Sequence, residues 1–220
     1  ARSAIAPSRK NPHLCASCVE LSPPGGTTLP IGVLFADIRG FTALAEAVEP
    51  DSLSPLLARF YAAAERVLFP EAIVDKLVGD QVMALYIPAL GRMEDPKQVM
   101  LAHARALLAA LGYGTDDGPF LEAGIGLDFG DAFVGNVGHR WVYDFTAVGD
   151  VVNTAFRLQG CADGGEVVAS SRLADRIGSM PAEPVDLELK GRREPVSAFR
   201  LRPTAASKGQ PRHSKLKWVG

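Results

Sequence analysis

Residues 73–78 and 82–87 are two short apolar runs that meet at Gly79-Asp80. A two-residue junction of this kind leaves the chain little choice but a tight β-hairpin. The hairpin would lift Asp80 to its tip. Another apolar run, 31–36, ends abruptly in Asp37-Ile38-Arg39-Gly40-Phe41-Thr42, which puts Asp37 at the end of a neighbouring strand. Two carboxylates presented this way suit divalent ions carrying a polyphosphate, because Mg²⁺ takes one or two carboxylates together with phosphate oxygens. Either segment alone reads equally well as an ordinary turn, where Asp and Gly are the default residues.

The pattern around the hairpin extends it into a fold. Leu53, Leu56, Leu57, Phe60, Tyr61, Ala64, Val67 and Leu68 recur at helical spacing between Pro50-Asp51 and Pro70. Asp95-Pro96 opens a second amphipathic helix carrying Val99, Ala102, Ala106, Leu107, Ala110 and Leu111. The glycines of 112–118 break it, and 121–127 reads as a fourth strand. The order β-α-β-β-α-β predicts an α+β, ferredoxin-like core: an antiparallel sheet with two helices on one face. A C-terminal α/β extension follows. It has a short hairpin or arm over 132–137 and 141–145, then a helix capped by Asp150 and running through Cys161. Beyond these come a strand at 166–169, a short helix capped by Ser170 or Ser171, and strands at 185–189 and 196–201.

The chain divides into three expected parts. Residues 1–29 are rich in Pro, Ser and Gly and read as an irregular arm; 30–202 form the folded domain; 203–220 are an aperiodic basic tail with Lys208, Arg212, Lys215 and Lys217. A length of 220 residues is enough for one domain with a proper core. The net charge of −2 leaves no electrostatic footprint for nucleic acid. No apolar stretch reaches the roughly 20 residues that span a bilayer, and the N-terminus lacks the apolar core of a secretion signal. Three cysteines make no disulfide framework and fit a reducing, cytoplasmic setting. Cys15 and Cys18 form a CxxC after His13, but a single half-site is a weak metal signal, since structural zinc takes four ligands. His103, His139 and Asp144 read as surface or boundary residues.

Five segments, taken in order, resemble the class III nucleotidyl cyclases, the adenylate and guanylate cyclase catalytic domains. They are 34–42; 76–84; the glycine-marked 124–130 and 135–138; 146–157, Thr-Ala-Val-Gly-Asp-Val-Val-Asn-Thr-Ala-Phe-Arg; and Leu189-Lys190-Gly191 with Pro195-Val196. The resemblance covers about Ile31 to Leu201. It implies that Asp37 and Asp80, with Ile38 between strand and turn, hold two divalent ions per site, Mg²⁺ or Mn²⁺. A paired-metal site stabilises both attacking and leaving oxygens of an in-line displacement. Gly40, Phe41 and Thr42 would cradle phosphates at a helix start. Lys76 matches the base-selecting lysine. Thr146 falls where many members carry aspartate, as in a subset of bacterial cyclases that use ATP. A lysine donates to adenine N1 and a hydroxyl can accept from the 6-amino group. Asn153 and Arg157, at i and i+4 on one helical face, match the pair that orients ribose and stabilises the transition state. Lys190 matches the lysine on the terminal phosphates.

The resemblance therefore implies an adenylate cyclase that converts ATP to 3′,5′-cyclic AMP and pyrophosphate. It would act as a cytoplasmic homodimer with sites at the interface and no nucleic-acid or membrane partner. The alternative is a catalytically silent nucleotide-binding module, whose usual signature is a missing metal aspartate or a missing Asn/Arg. Diguanylate cyclases share the layout, but no Gly-Gly-Asp/Glu-Glu-Phe run stands at the hairpin. Asp128 departs from the family, which often shows histidine there.

Overall fold

A computed structural model describes residues 6–90, 93–139, 142–177 and 180–202. The basic tail and the start of the strand expected at 141–145 lie outside the described residues. In chain order the elements are α1 (Ala16–Val19), β1 (Gly25–Ile38), α2 (Phe41–Ala47), α3 (Pro50–Leu68), β2 (Ile73–Val78), β3 (Gln81–Tyr86), α4 (Pro96–Leu111) and β4 (Ala123–His139). After them come β5 (Val142–Val148), α5 (Asp150–Gly160), β6 (Val167–Ser170), α6 (Ala174–Ile177), β7 (Ala182–Leu187) and β8 (Val196–Leu201). The sheet runs β2-β3-β1-β4-β6-β8-β7, with β5 paired to the far half of β4. The expected β-α-β-β-α-β core is present. The sheet is antiparallel except where β4 meets β6, a parallel pair.

From Ile31 onward strand β1 is buried on both faces, and its alternation sorts the two cores. Leu34, Ala36 and Ile38 face α3 and α4, packing with Phe60, Ala64, Leu68, Met100, Leu107 and Leu111. Ile31, Val33 and Phe35 face the other way, where Val151 and Ala155 of α5, Ala147 of β5 and Leu14 of the N-terminal segment cover them. Both expected helices start as anticipated. Pro50 occupies the first turn of α3, and Asp95 caps α4 by accepting the Gln98 N–H at 3.1 Å. Among the described residues no helix is long and apolar enough to cross a membrane.

Three local readings of the sequence differ from the structure. The segments expected at 121–127 and 132–137 belong to one continuous strand, β4 (Ala123–His139), which runs on through Gly130; at Gly135 any Cβ would strike the backbone of Gly25 and Gly26. Asp150 does not cap α5, whose N-cap is Gly149; its carboxylate instead receives Arg192 at 2.5 Å and Arg172 at 3.4 Å. From residue 6 onward the segment before residue 29 is packed against the domain. β1 begins at Gly25, and Ser8 and Asn11 are buried polar residues. Asn11 donates to the Phe69 and Ala72 carbonyls at 3.0 and 2.8 Å, and the Lys10 carbonyl accepts the Val74 N–H at 2.9 Å. The N-terminal segment thus covers the open edge of β2.

Candidate active site

The first group of expected residues gathers where β1 ends beside the hairpin turn. Val78 pairs with Gln81, so Gly79-Asp80 is a two-residue turn, and Gly79 takes the left-handed φ of 60° that a side chain would resist. Gln81 in turn stands opposite Asp37 on β1. The Ile38 N–H donates to the Asp80 carbonyl at 3.1 Å, and the Tyr61 hydroxyl donates to the Gly79 carbonyl. This backbone lacing brings the two carboxylates together. Asp37 is half-buried and accepts from Arg39 at 2.5 Å and, more loosely, from Gln81 at 3.5 Å. Burial, and then the charge of Asp80, push its carboxyl above the ordinary range despite Arg39.

Two repelling carboxylates stand beside one guanidinium, which pairs with Asp37, and this is the charge deficit a divalent cation would fill. The residues present therefore fit the ions that the resemblance implies. Among the described residues no group of three or more His, Cys, Asp and Glu side chains is arranged as a metal cage. This suits ions that complete their shells with substrate oxygens, and it gives the Cys15–Cys18 pair no further ligands. Gly40, at the start of α2, has a φ of 69° and no side chain caps the helix; Phe41 is half-buried and Thr42 exposed.

The second group lies on the other face of the hairpin, and a β-bulge puts it there. The β2–β3 register passes from Val74↔Ala84 directly to Lys76↔Met83, leaving Asp75 as the extra residue. Lys76 therefore stands opposite Met83, which belongs to the core under α5 and β5, and Asp75 turns toward β5. The Thr146 hydroxyl donates to Asp75 Oδ2 at 2.6 Å. Lys76 Nζ reaches Asp144 Oδ2 at 3.2 Å and remains partly exposed. Asp144, read from sequence as a loop residue, is instead a member of this cluster. Burial would raise its carboxyl, but Lys10 and then Lys76 outweigh that and hold it below the usual range.

The third group is carried by α5 and the loop before β8. Helix α5 lies so close to β4 that a Cβ on Gly126 would meet the Ala155 carbonyl and the Gln159 backbone. Asn153 is exposed and Arg157 half-buried on one face. The Arg157 guanidinium lies beside Gly191, 3.4 Å from where a Cβ would stand, so Lys190, exposed in the same loop, is its neighbour in sequence and space. Arg192 fixes that loop to α5 through Asp150 and Thr154, each at 2.5 Å. No hydrogen bond or ion pair among the described residues links Asp37 or Asp80 to Lys76, Thr146, Asn153, Arg157 or Lys190.

Pattern reading missed Lys10, Asp75, Arg39 and Arg192. The register shift at Asp75 leaves no trace in the apolar pattern, and the other three act through tertiary contact. At the departure noted above, Asp128 is buried on β4 and accepts from Ser170 Oγ at 2.5 Å.

A chain with this sheet and these groups matches the adenylate and guanylate cyclase catalytic domain over residues 26–201. It belongs to that family, the class III nucleotidyl cyclases. An uncharacterized protein of Mycobacterium tuberculosis is 33% identical over 159 residues, 71% of this chain and 29% of that protein. An adenylate cyclase of Anabaena cylindrica is 30% identical over 139 residues, 58% of this chain and 26% of the cyclase. The chain thus spans under a third of the length of these curated relatives. Among solved structures, the adenylyl cyclase CyaB from P. aeruginosa superposes with a TM-score of 0.71 at 24% identity, covering 84% of this chain and all of that one. A guanylyl cyclase superposes with a TM-score of 0.72 at 25% identity, covering 84% of this chain and 98% of that one. Both kinds of cyclase share the fold, so the choice of base falls to the residues.

Proposed function

We propose that this domain is an adenylate cyclase, forming 3′,5′-cyclic AMP and pyrophosphate from ATP at the interface of a homodimer. The observation that carries the choice of base is the Thr146–Asp75 hydrogen bond. The hydroxyl proton is committed to the carboxylate, so Thr146 offers its oxygen as an acceptor beside the donor Lys76. Adenine presents the complement, an acceptor at N1 and a donor at the 6-amino group. Guanine presents a donor at N1 and an acceptor at O6, wrong at both places.

In the reaction the ribose 3′-oxygen loses its proton to solvent and forms a bond to the α-phosphorus. The bond from that phosphorus to the bridging oxygen breaks, and pyrophosphate leaves with the electron pair. Divalent ions held by Asp37, Asp80 and the Ile38 carbonyl, Mg²⁺ or Mn²⁺, would supply charge neutralisation at the 3′-oxygen and along the triphosphate. Arg157 presents its fork to the phosphorane oxygens, Asn153 holds the ribose, and Lys190 meets the terminal phosphates. Gly40, Phe41 and Thr42 offer backbone N–H groups to the phosphates.

The separation of the groups on one chain supports a dimer in which Asp37 and Asp80 of one subunit face Lys76, Thr146, Asn153, Arg157 and Lys190 of the other. Val142, Val148 and Phe156, large and exposed at 82%, 54% and 50%, flank the second and third groups and would be covered there. The test is product analysis from ATP and, separately, GTP with Mn²⁺ and with Mg²⁺. Cyclic AMP from ATP, lost in Asp80→Ala, is expected; cyclic GMP alone, or no cyclic product from a confirmed dimer, refutes the reading. Mixing inactive Asp37→Ala and Arg157→Ala chains should restore activity at one site per dimer.

A further inference from the structure

The N-terminal segment sends one side chain into the base-selecting cluster. Lys10 is only 12% exposed at its side chain, and its ammonium has four acceptors: Asp75 Oδ1 at 2.7 Å, the Asp75 carbonyl at 3.0 Å, the Phe145 carbonyl at 2.7 Å and Asp144 Oδ1 at 2.7 Å. The Asp75 side chain has no exposure at all. A fully buried carboxylate is costly unless a close cation and hydrogen bonds meet it. Lys76 stands 4.0 Å from Asp75 and is committed to Asp144 at 3.2 Å. Lys10 is therefore the cation that Asp75 depends on.

Resting on the adenylate cyclase reading above, we infer that Lys10 is a positioning residue for base selection, acting through Asp75 to fix the polarity of the Thr146 hydroxyl. Lys10 occupies Asp75 Oδ1 and the Asp75 carbonyl, which leaves Oδ2 aimed at Thr146 to accept its hydroxyl proton in a hydrogen bond. The oxygen then faces the base as an acceptor, matched to an amino group and opposed to a carbonyl. Without Lys10, Oδ1 of Asp75 loses its donor and the carboxylate is no longer held with Oδ2 against Thr146, whose proton is freed to turn toward guanine O6. This relaxes the preference for adenine. The segment that composition marks as an irregular arm thereby belongs to the substrate site, and its backbone anchors (Lys10 O to Val74, Asn11 to Phe69 and Ala72) hold the lysine in place.

The experiment is competition of ATP and of GTP against a fluorescent ATP analogue, with Mn²⁺, on dimeric protein, alongside thermal unfolding. This reads base preference without turnover. Lys10→Met should lower the ratio of ATP to GTP affinity by about tenfold, and Lys10→Arg, which keeps the charge, should retain most of it. In a Thr146→Val background Lys10→Met should leave the remaining ratio unchanged, because the hydroxyl it orients is gone. If Lys10→Met does not fold, Lys10→Met with Asp75→Asn removes both charges and should show the same relaxed ratio. Equal weakening of ATP and GTP, or an unchanged ratio, overturns the inference and reduces Lys10 to an anchor of the segment. A wild-type protein with no preference for ATP overturns the base assignment itself, so the two failures are separable.

Discussion

At the turn end of the β2–β3 hairpin, Asp37 pairs with the guanidinium of Arg39 and is repelled by Asp80. On the bulged side of the same hairpin, Asp75 and Asp144 are met by Lys10 and Lys76, and the ion pairs are internal. One hairpin thus builds two electrostatic surroundings of opposite kind. The turn end is short of positive charge and completes itself from outside, which is how a site for substrate-borne cations should look. The bulged end is already neutral, so its polar atoms can discriminate hydrogen-bond patterns rather than attract charge. On the proposed function, affinity for the triphosphate and selection of the base are accordingly separable properties.

The largest effect that would sharpen this contrast is Asp80→Ala. Turnover should fall by about a thousandfold or more, the scale of losing charge stabilisation at a phosphoryl centre. The fold should hold or gain, because the substitution removes a repulsion; the Asp37 carboxyl should titrate lower, by NMR, and the unfolding midpoint should not drop. A lower midpoint with ordinary turnover would break the comparison and return Asp80 to the role of a turn residue.

An intermediate effect tests whether the third group depends on the sheet. In Gly126→Ala the new Cβ meets the Ala155 carbonyl and the Gln159 backbone, and relief requires α5 to move off β4. Overpacking of this kind costs about 1–3 kcal/mol. A shift of about 1 Å in a positioning group can cost about a hundredfold in rate. Turnover should therefore fall far more than nucleotide preference, since Thr146 and Lys76 lie on β5 and β2. A change in the ATP to GTP ratio as large as the loss of rate would mean that the base-selecting and phosphate groups are not independent.

The same contrast explains what the sequence could show. The turn end was legible because Gly79-Asp80 between apolar runs and the abrupt end of the β1 run are local signals, and each survives folding unchanged. The alternation that buries β1 on both faces was visible only as an apolar run. The bulged end was half legible: Lys76 and Thr146 stood in recognisable motifs, but Asp75, Asp144 and Lys10 did not. A bulge shifts register without altering composition. Lys10 sits in a Pro- and Ser-rich stretch whose order comes from buried polar contacts of Ser8 and Asn11, and tertiary hydrogen bonds have no periodicity to detect. The join between 127 and 132 was hidden for a related reason, because a glycine inside a strand, as at Gly130, looks the same in sequence as one that ends a strand.

The smallest expected effect lies away from both ends, at Asp128. Its side chain is fully buried, Ser170 donates to Oδ1 at 2.5 Å, and Arg172 stands 2.9 Å from Oδ2 without the alignment of a hydrogen bond. Burial raises its carboxyl from 3.8 to about 6, Ser170 and Arg172 notwithstanding. The folded chain therefore binds this proton more tightly than the unfolded chain does. The stabilisation is complete below pH 3.8 and is lost as pH rises through about 6. Asp128→Asn cannot ionise and still accepts from Ser170, so it should flatten the fall in stability across that window, by on the order of 1 kcal/mol. Turnover at neutral pH should change little, since Asp128 touches none of the three groups. Urea midpoints of both proteins across the acid range decide it: parallel curves would show that Arg172 keeps Asp128 ionised throughout, and that buried charge in this domain is neutralised on β4 as fully as it is around Lys10.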